Sequence, residues 1–143
     1  MSTAEPSRRG RTVQCVIVTP ERAVLDAAVD FVALPMYDGE LGVAPGRAPL
    51  IGRLGYGELR VRQGPRTLRY YVDGGFVQVR ADVVSVLTPR AVEADKIDVA
   101  AATHALREAL RPAATPEKQQ EQEKAQQRAR AQIHIAGRAG VQA

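Results

Sequence analysis

Glu40 and Arg47 are carried on the run Gly39-Glu40-Leu41-Gly42-Val43-Ala44-Pro45-Gly46-Arg47-Ala48-Pro49-Leu50. Glycine opens backbone angles closed to other residues, and proline presets φ and removes a donor. Such a run builds a stiff bent loop that holds a carboxylate and a guanidinium in defined places. Neither group is a nucleophile, and no acid–base pair accompanies them. The chemistry this suits is recognition, through charge-assisted hydrogen bonds to a partner. Other reactive side chains are few. Cys15, the single cysteine, lies in an apolar strand pattern with no basic neighbour to activate it, and alone it excludes an internal disulfide. His104 and His134 both fall in the C-terminal part, and no strand end gathers His, Cys and carboxylates into a metal site. A small barrel enzyme would have no residues to work with, so no catalytic residue and no metal ligand is expected.

The elements that must hold this loop change character near Ala91. Before it, apolar and polar residues alternate at period two. After it, glycine is absent until Gly137, and Ala, Gln, Glu and Arg dominate. The pattern predicts a β domain followed by a helical one. Strands are expected at 12–18, 23–25, 29–34, 41–44, 50–54, 58–62, 68–72, 76–80 and 83–87. Gln63-Gly64-Pro65-Arg66 reads as a hairpin turn. Eight to ten short antiparallel strands at this spacing make a flattened sandwich or barrel. Gly74-Gly75 implies a tight turn, a bulge or another backbone packed close by.

Asp95 is placed to cap a first helix, with Asp98 near the positive end of its dipole. That helix carries Val99, Ala102, Leu106, Ala109 and Leu110 on one stripe and ends at Arg111-Pro112. Thr115-Pro116 opens a second helix, with Ala125, Ala129, Ile133 and Ala136 on one side. The short connection makes the pair an antiparallel hairpin. Its apolar face is mostly alanine, so it must lean on the β domain or on another subunit. The expected organisation is an N-terminal extension without order over 1–11, a β-sandwich over 12–90, a helical hairpin over 91–136 and a flexible tail over 137–143.

Composition narrows the function. The chain has 143 residues, 4% aromatics and no tryptophan, so its core must be aliphatic. The formal net charge is +4, but the basic residues are scattered rather than set in a stripe, which speaks against nucleic acid. No run of 18 apolar residues is present to span a membrane. The first dozen residues lack an apolar stretch, so no secretory signal is expected.

The Gly-Glu-Leu-Gly…Pro-Gly-x-Ala-Pro-Leu loop, the Val72-Asp73-Gly74-Gly75-Phe76-Val77-Gln78-Val79 strand, the approach Ala91-Val92-Glu93-Ala94-Asp95-Lys96-Ile97-Asp98 and a final helical hairpin together resemble the epsilon subunit of F-type ATP synthases. The resemblance is best over 13–110; from Pro112 onward only the helical character matches. It implies a non-catalytic subunit of the bacterial central rotor stalk, peripheral to the cytoplasmic face of the inner membrane. The sandwich would grip the gamma subunit and rest on the polar loops of the c-ring. The hairpin would fold on the sandwich or extend along gamma towards the catalytic beta subunits, where it inhibits ATP hydrolysis.

Residue by residue, the resemblance assigns Glu40 to the position facing the c-ring. Leu41, Gly42, Pro45, Arg47 and Pro49 complete the partner-binding loop, with Tyr56 and Arg53 as edge contacts. Arg47 stands where many members have histidine. Arg128 and Arg130 would meet acidic loops of the beta subunits, or else lie on a solvated helix face. Some members bind ATP through Ile/Leu-Asp-x-x-Arg-Ala. Here the stretch is Ile97-Asp98-Val99-Ala100-Ala101-Ala102, and the arginine position is Ala101. Without that guanidinium, ATP is not expected as a cofactor, and Asp98 is left to serve the helix start. The competing reading is a free-standing β-sandwich interaction module with a helical dimerisation tail, using the same loops on a different protein.

Overall fold

The computed structural model of the chain describes residues 11–141. The extension expected over 1–11 lies, apart from Arg11, outside the described residues. Among the described residues eight strands are formed: β1 Val13–Val18, β2 Ala23–Val29, β3 Phe31–Met36, β4 Gly39–Val43, β5 Leu50–Gln63, β6 Arg66–Arg80, β7 Val83–Leu87 and β8 Ala91–Glu93. A short 3-10 turn, Ala94–Lys96, leads to helices α1 Val99–Ala109 and α2 Pro116–Val141. The strands form one sheet in the order β2-β1-β7-β6-β5-β3-β4, with β8 added beside β6. All pairs are antiparallel except β1 with β7.

Two expectations about the strands change. The segments 50–54 and 58–62 are parts of the single strand β5, and 68–72 and 76–80 are parts of β6, paired in unbroken register. Glycine at 55, 57, 74 and 75 bends these strands rather than ending them. The core residues show this. On β5 the inward set passes from Leu54 to Leu59 and Val61, and on β6 from Tyr70 and Val72 to Val77 and Val79. The parity flips at the glycines because both strands twist there from one layer of the sandwich to the other. The sheet thus coils around one aliphatic core, in which Val13, Cys15 and Ile17 of β1 meet Val32 and Leu34 of β3 and Val84 and Val86 of β7.

Gly75 sits at the tightest point. At φ +111, a Cβ there would meet the Leu87 carbonyl oxygen. The double glycine is therefore a place where another backbone lies against β6. There β6 exchanges its partner: 76–80 pairs with β7 and 70–72 with β8.

At the helices, the cap is Asp98, which accepts from the Ala101 amide at 3.0 Å. Asp95, the sequence-based candidate, lies instead in the preceding 3-10 turn. Thr115 caps α2 by accepting from the Lys118 amide at 3.1 Å, with Pro116 in the first helical position as expected. On the α1 stripe, Ala102 and Ala109 are buried, but Val99 and Leu110 are exposed. Helix α2 runs back along α1: Gln126 donates to the Ala109 carbonyl at 2.9 Å, while Ile135 packs with Ala94 and Ile97. It remains helical to Val141. The hairpin leans on the sandwich through α2, where Ile135 joins Tyr71, Ala94 and Ile97 in a second small cluster.

Candidate functional site

The loop over 39–50 divides into two structures. Its first half is β4, an edge strand paired with β3 so that Pro35 faces Glu40 and Met36 faces Gly39. Its second half, 44–49, is an exposed bend pinned at Gly46 (φ +88), whose amide donates to the Asp82 carboxylate at 2.8 Å. Asp82 belongs to the two-residue turn between β6 and β7, so the bend is tied across the sheet.

Glu40 does not stand alone. Arg60 on β5 donates to both of its carboxylate oxygens, Nη1 at 3.0 Å and Nη2 at 3.3 Å. Arg60 also pairs with Glu58 at 3.5 Å, and Glu58 with Arg69 at 3.3 Å. The hydrogen bond to Glu40 is the chief reason that the Arg60 guanidinium is pushed above its usual range. Glu40 therefore presents itself as one end of an alternating charge ladder.

Beside it opens a groove of about 520 Å³, lined among others by Tyr37, Glu40, Leu41, Ile51 and Arg53. Arg53 stacks over the Tyr37 ring with 4.6 Å to the centroid. Gly42 lies under the Phe31 ring, where a Cβ would come within 2.7 Å of Cζ. Leu41 is half-buried against the core; on the bend Pro45 is half-buried, and Arg47 and Pro49 are exposed.

A second surface is apolar. Phe76 and Leu87 are cross-strand partners on the outer face of β6 and β7, exposed by 57% and 55%. Ile51, exposed by 77%, shares that face on β5. Large apolar side chains grouped on a wet face mark an interaction surface. The sequence carried the signal: with Val77 and Val79 turned inward, Phe76 had to point outward.

Tyr56 lies elsewhere. It is half-buried beneath α2, where Arg128 covers its ring at 4.8 Å to the centroid and donates to Asp73 at 2.9 Å. Arg130 is exposed and donates to Gln126 at 3.3 Å. His104 and His134 are exposed on the helices. The remaining candidate, Asp98, caps α1. Among the described residues no group of three or more His, Cys, Asp or Glu side chains is arranged to hold a metal ion.

Residues 12–94 match the sequence profile of the family described as ATP synthase, Delta/Epsilon chain, beta-sandwich domain. The chain belongs to this ATP synthase delta/epsilon family. An ATP synthase epsilon chain from Rhodopirellula baltica is 60% identical over 97 residues, 68% of this chain and 76% of that protein. The epsilon chain of Desulforamulus reducens is 44% identical over 95 residues, 66% of this chain and 72% of the relative. In fold, the chain is similar to one from the Euglena gracilis mitochondrial ATP synthase OSCP/F1/c-ring structure. That similarity has a TM-score of 0.78 at 22% identity, over 99% of this chain and 91% of the other. The family profile covers the sandwich and stops before α1, so both surfaces described above lie on its part of this delta/epsilon-type chain.

Proposed function

We propose that this chain serves as the epsilon subunit of an F-type ATP synthase. It is a non-catalytic part of the central stalk that couples the gamma subunit to the membrane c-ring. One observation carries the division of labour: the sandwich has two unlike exposed surfaces side by side. The apolar face of Ile51, Phe76 and Leu87 suits a permanent protein partner, since such interfaces are apolar at their centre. It is assigned to gamma. The charged edge, with Glu40 clamped by Arg60 beside the Tyr37–Arg53 groove, suits polar loops that exchange hydrogen bonds, and it is assigned to the c-ring. The bend holding Pro45, Arg47 and Pro49 borders both.

The chain reaches the membrane only through the complex, on the cytoplasmic face of a bacterial inner membrane. No helix among the described residues is long and apolar enough to cross a bilayer. The hairpin is assigned a regulatory role: extended along gamma, it would bring Arg130 and Arg128 to acidic loops of the beta subunits. Moving it from nearly all folded to nearly all extended takes about 5.5 kcal/mol of differential binding, within reach of a few charge pairs and some apolar contact.

The test uses membrane vesicles carrying the assembled complex. Phe76→Glu with Leu87→Glu is expected to lower the epsilon content of the purified complex and proton-driven ATP synthesis together. Truncation after Arg111 is expected to raise ATP hydrolysis while synthesis persists. Normal assembly and synthesis in the double variant would remove the gamma assignment. Unchanged hydrolysis after truncation would remove the regulatory one.

A further inference from the structure

The contact between helix and sandwich joins a small apolar cluster to a polar one. On α2 the side chain buried against the sandwich is Ile135, with Ala131 and Ala136 partly covered. Among the described residues, Ile135 is thus the one large aliphatic side chain that α2 buries in this seam. At its edge stands a polar cluster. Arg128 Nε donates to Asp73 Oδ1 at 2.9 Å, its Nη2 lies 3.4 Å from the Tyr56 hydroxyl, and its guanidinium covers the Tyr56 ring. Asp73 Oδ1 also accepts from the hydroxyl of Tyr71 at 2.9 Å.

The sandwich holds Asp73 through its own backbone, while α2 completes the cover of Tyr71 with Ile135. The Asp73 amide donates to Thr88 Oγ1 and to the Arg90 carbonyl, each at 3.2 Å. Tyr71 is fully buried, and Gly74 brings the backbone against the Tyr56 ring, where a Cβ would stand 3.4 Å from its edge. Burial first, then the Asp73 charge, push the Tyr71 phenol up, so it stays a donor to Asp73 at any ordinary pH.

We propose that Asp73, Tyr56 and Tyr71 form an arginine receptor and that Arg128 is the latch holding the hairpin against the sandwich. Three demands coincide in one side chain: a planar face for the ring, an Nε donor for the carboxylate and an Nη donor for the phenol. Lysine supplies a point charge and neither plane nor fork. Because the apolar seam is thin, docking depends on this ion pair, and because Arg128 is 42% exposed in its side chain, added salt weakens it. Docked, Arg128 is engaged within the chain; any carboxylate that takes it must first compete with Asp73. The latch bears on hydrolysis control only if the regulatory reading above holds, but as a property of the chain it is tested without the complex.

The experiment is native-state hydrogen exchange on the full chain, read by peptide mass spectrometry. Arg128→Ala is expected to lower protection of 116–141 by about 10- to 100-fold, from loss of a charged hydrogen bond and a cation–π contact. The strands of the sandwich keep theirs. Asp73→Asn gives a similar loss, the double variant adds little to either, and Arg128→Lys falls between. Raising salt from about 0.05 to about 0.5 M loosens the helix in the native chain and leaves Arg128→Ala unchanged. Protection within about twofold of native in Arg128→Ala, or additive losses in the double variant, overturns the latch. If Asp73→Asn also loosens the strands, Arg128→Ala and its salt series decide. Release of the helix in Arg128→Ala with unaltered hydrolysis by the assembled complex would leave the latch standing and sink the regulatory reading.

Discussion

Gly75→Ala is the most informative single change to the scaffold. Its φ of +111 is closed to side-chain-bearing residues, and the added Cβ would lie against the Leu87 carbonyl oxygen and 2.9 Å from Thr88 Cα. Neither obstacle is the tip of a flexible side chain; both are backbone. Relief therefore requires β7 to move away from β6, which breaks the Phe76–Leu87 pairing and strains the Thr88–Asp73 hydrogen bond. The backbone strain alone costs about 1–3 kcal/mol, and each lost hydrogen bond adds about 1 kcal/mol. A total of about 3–5 kcal/mol is a large share of the stability of an ordinary domain, about 5–15 kcal/mol. Urea unfolding followed by far-UV circular dichroism measures it. Gly39→Ala is the control: at φ +141 with nothing within 4 Å of the new Cβ, it pays strain without a clash. A Gly75→Ala loss no greater than that of Gly39→Ala would refute the claim that two backbones meet rigidly there.

Ala81 and Asp82, at φ 53 and 60, form the two-residue turn between β6 and β7. Asparagine tolerates this conformation better than alanine, so Ala81→Asn is expected to stabilise by about 0.5–1 kcal/mol, read as a shift in urea midpoint at constant slope. Burial, helped by the charge of Asp26, pushes the Cys15 thiol up from 9.0 to about 12. The folded state then keeps a proton that the unfolded state loses, so stability is full below about pH 9 and falls as pH rises towards 12. Urea midpoints measured across that range check the sign, and a Cys15→Ala variant should flatten part of the slope. A thiol reagent at pH 8 is expected to label Cys15 only after unfolding.

Much of this was readable locally. The alternation in β1 and β7, the Gly64-Pro65 turn and the Thr115-Pro116 helix start depend on neighbours in sequence, and each is found where its residues put it. What escaped depends on distant residues. The long strands β5 and β6 look like four short ones because glycine signals an interruption in sequence, while in the folded chain it marks a twist. The parallel meeting of β1 and β7 has no local sign. The sequence points to Asp95 as the cap; Asp98 takes that place because the backbone first makes a 3-10 turn. For the site, Glu40 was visible as a charge on a stiff loop, but its clamp Arg60 lies twenty positions away on another strand. Arg128 and Tyr56 each read in sequence as contacts to an outside partner, and the cradle that joins them through Asp73 forms only where α2 lies on the sheet.

The central claim is that the charged edge at Glu40 rests on the c-ring while the neighbouring apolar face holds gamma. Crosslinking from single cysteines in the assembled, working complex tests it most directly, with Cys15 too deeply buried to compete. The account predicts that Glu40→Cys couples to a c-subunit loop, that Phe76→Cys couples to gamma, and that coupling at Glu40 stops ATP synthesis. Assembly into the complex with Glu40→Cys reaching no c subunit, or Phe76→Cys remaining open to small thiol reagents, would contradict it.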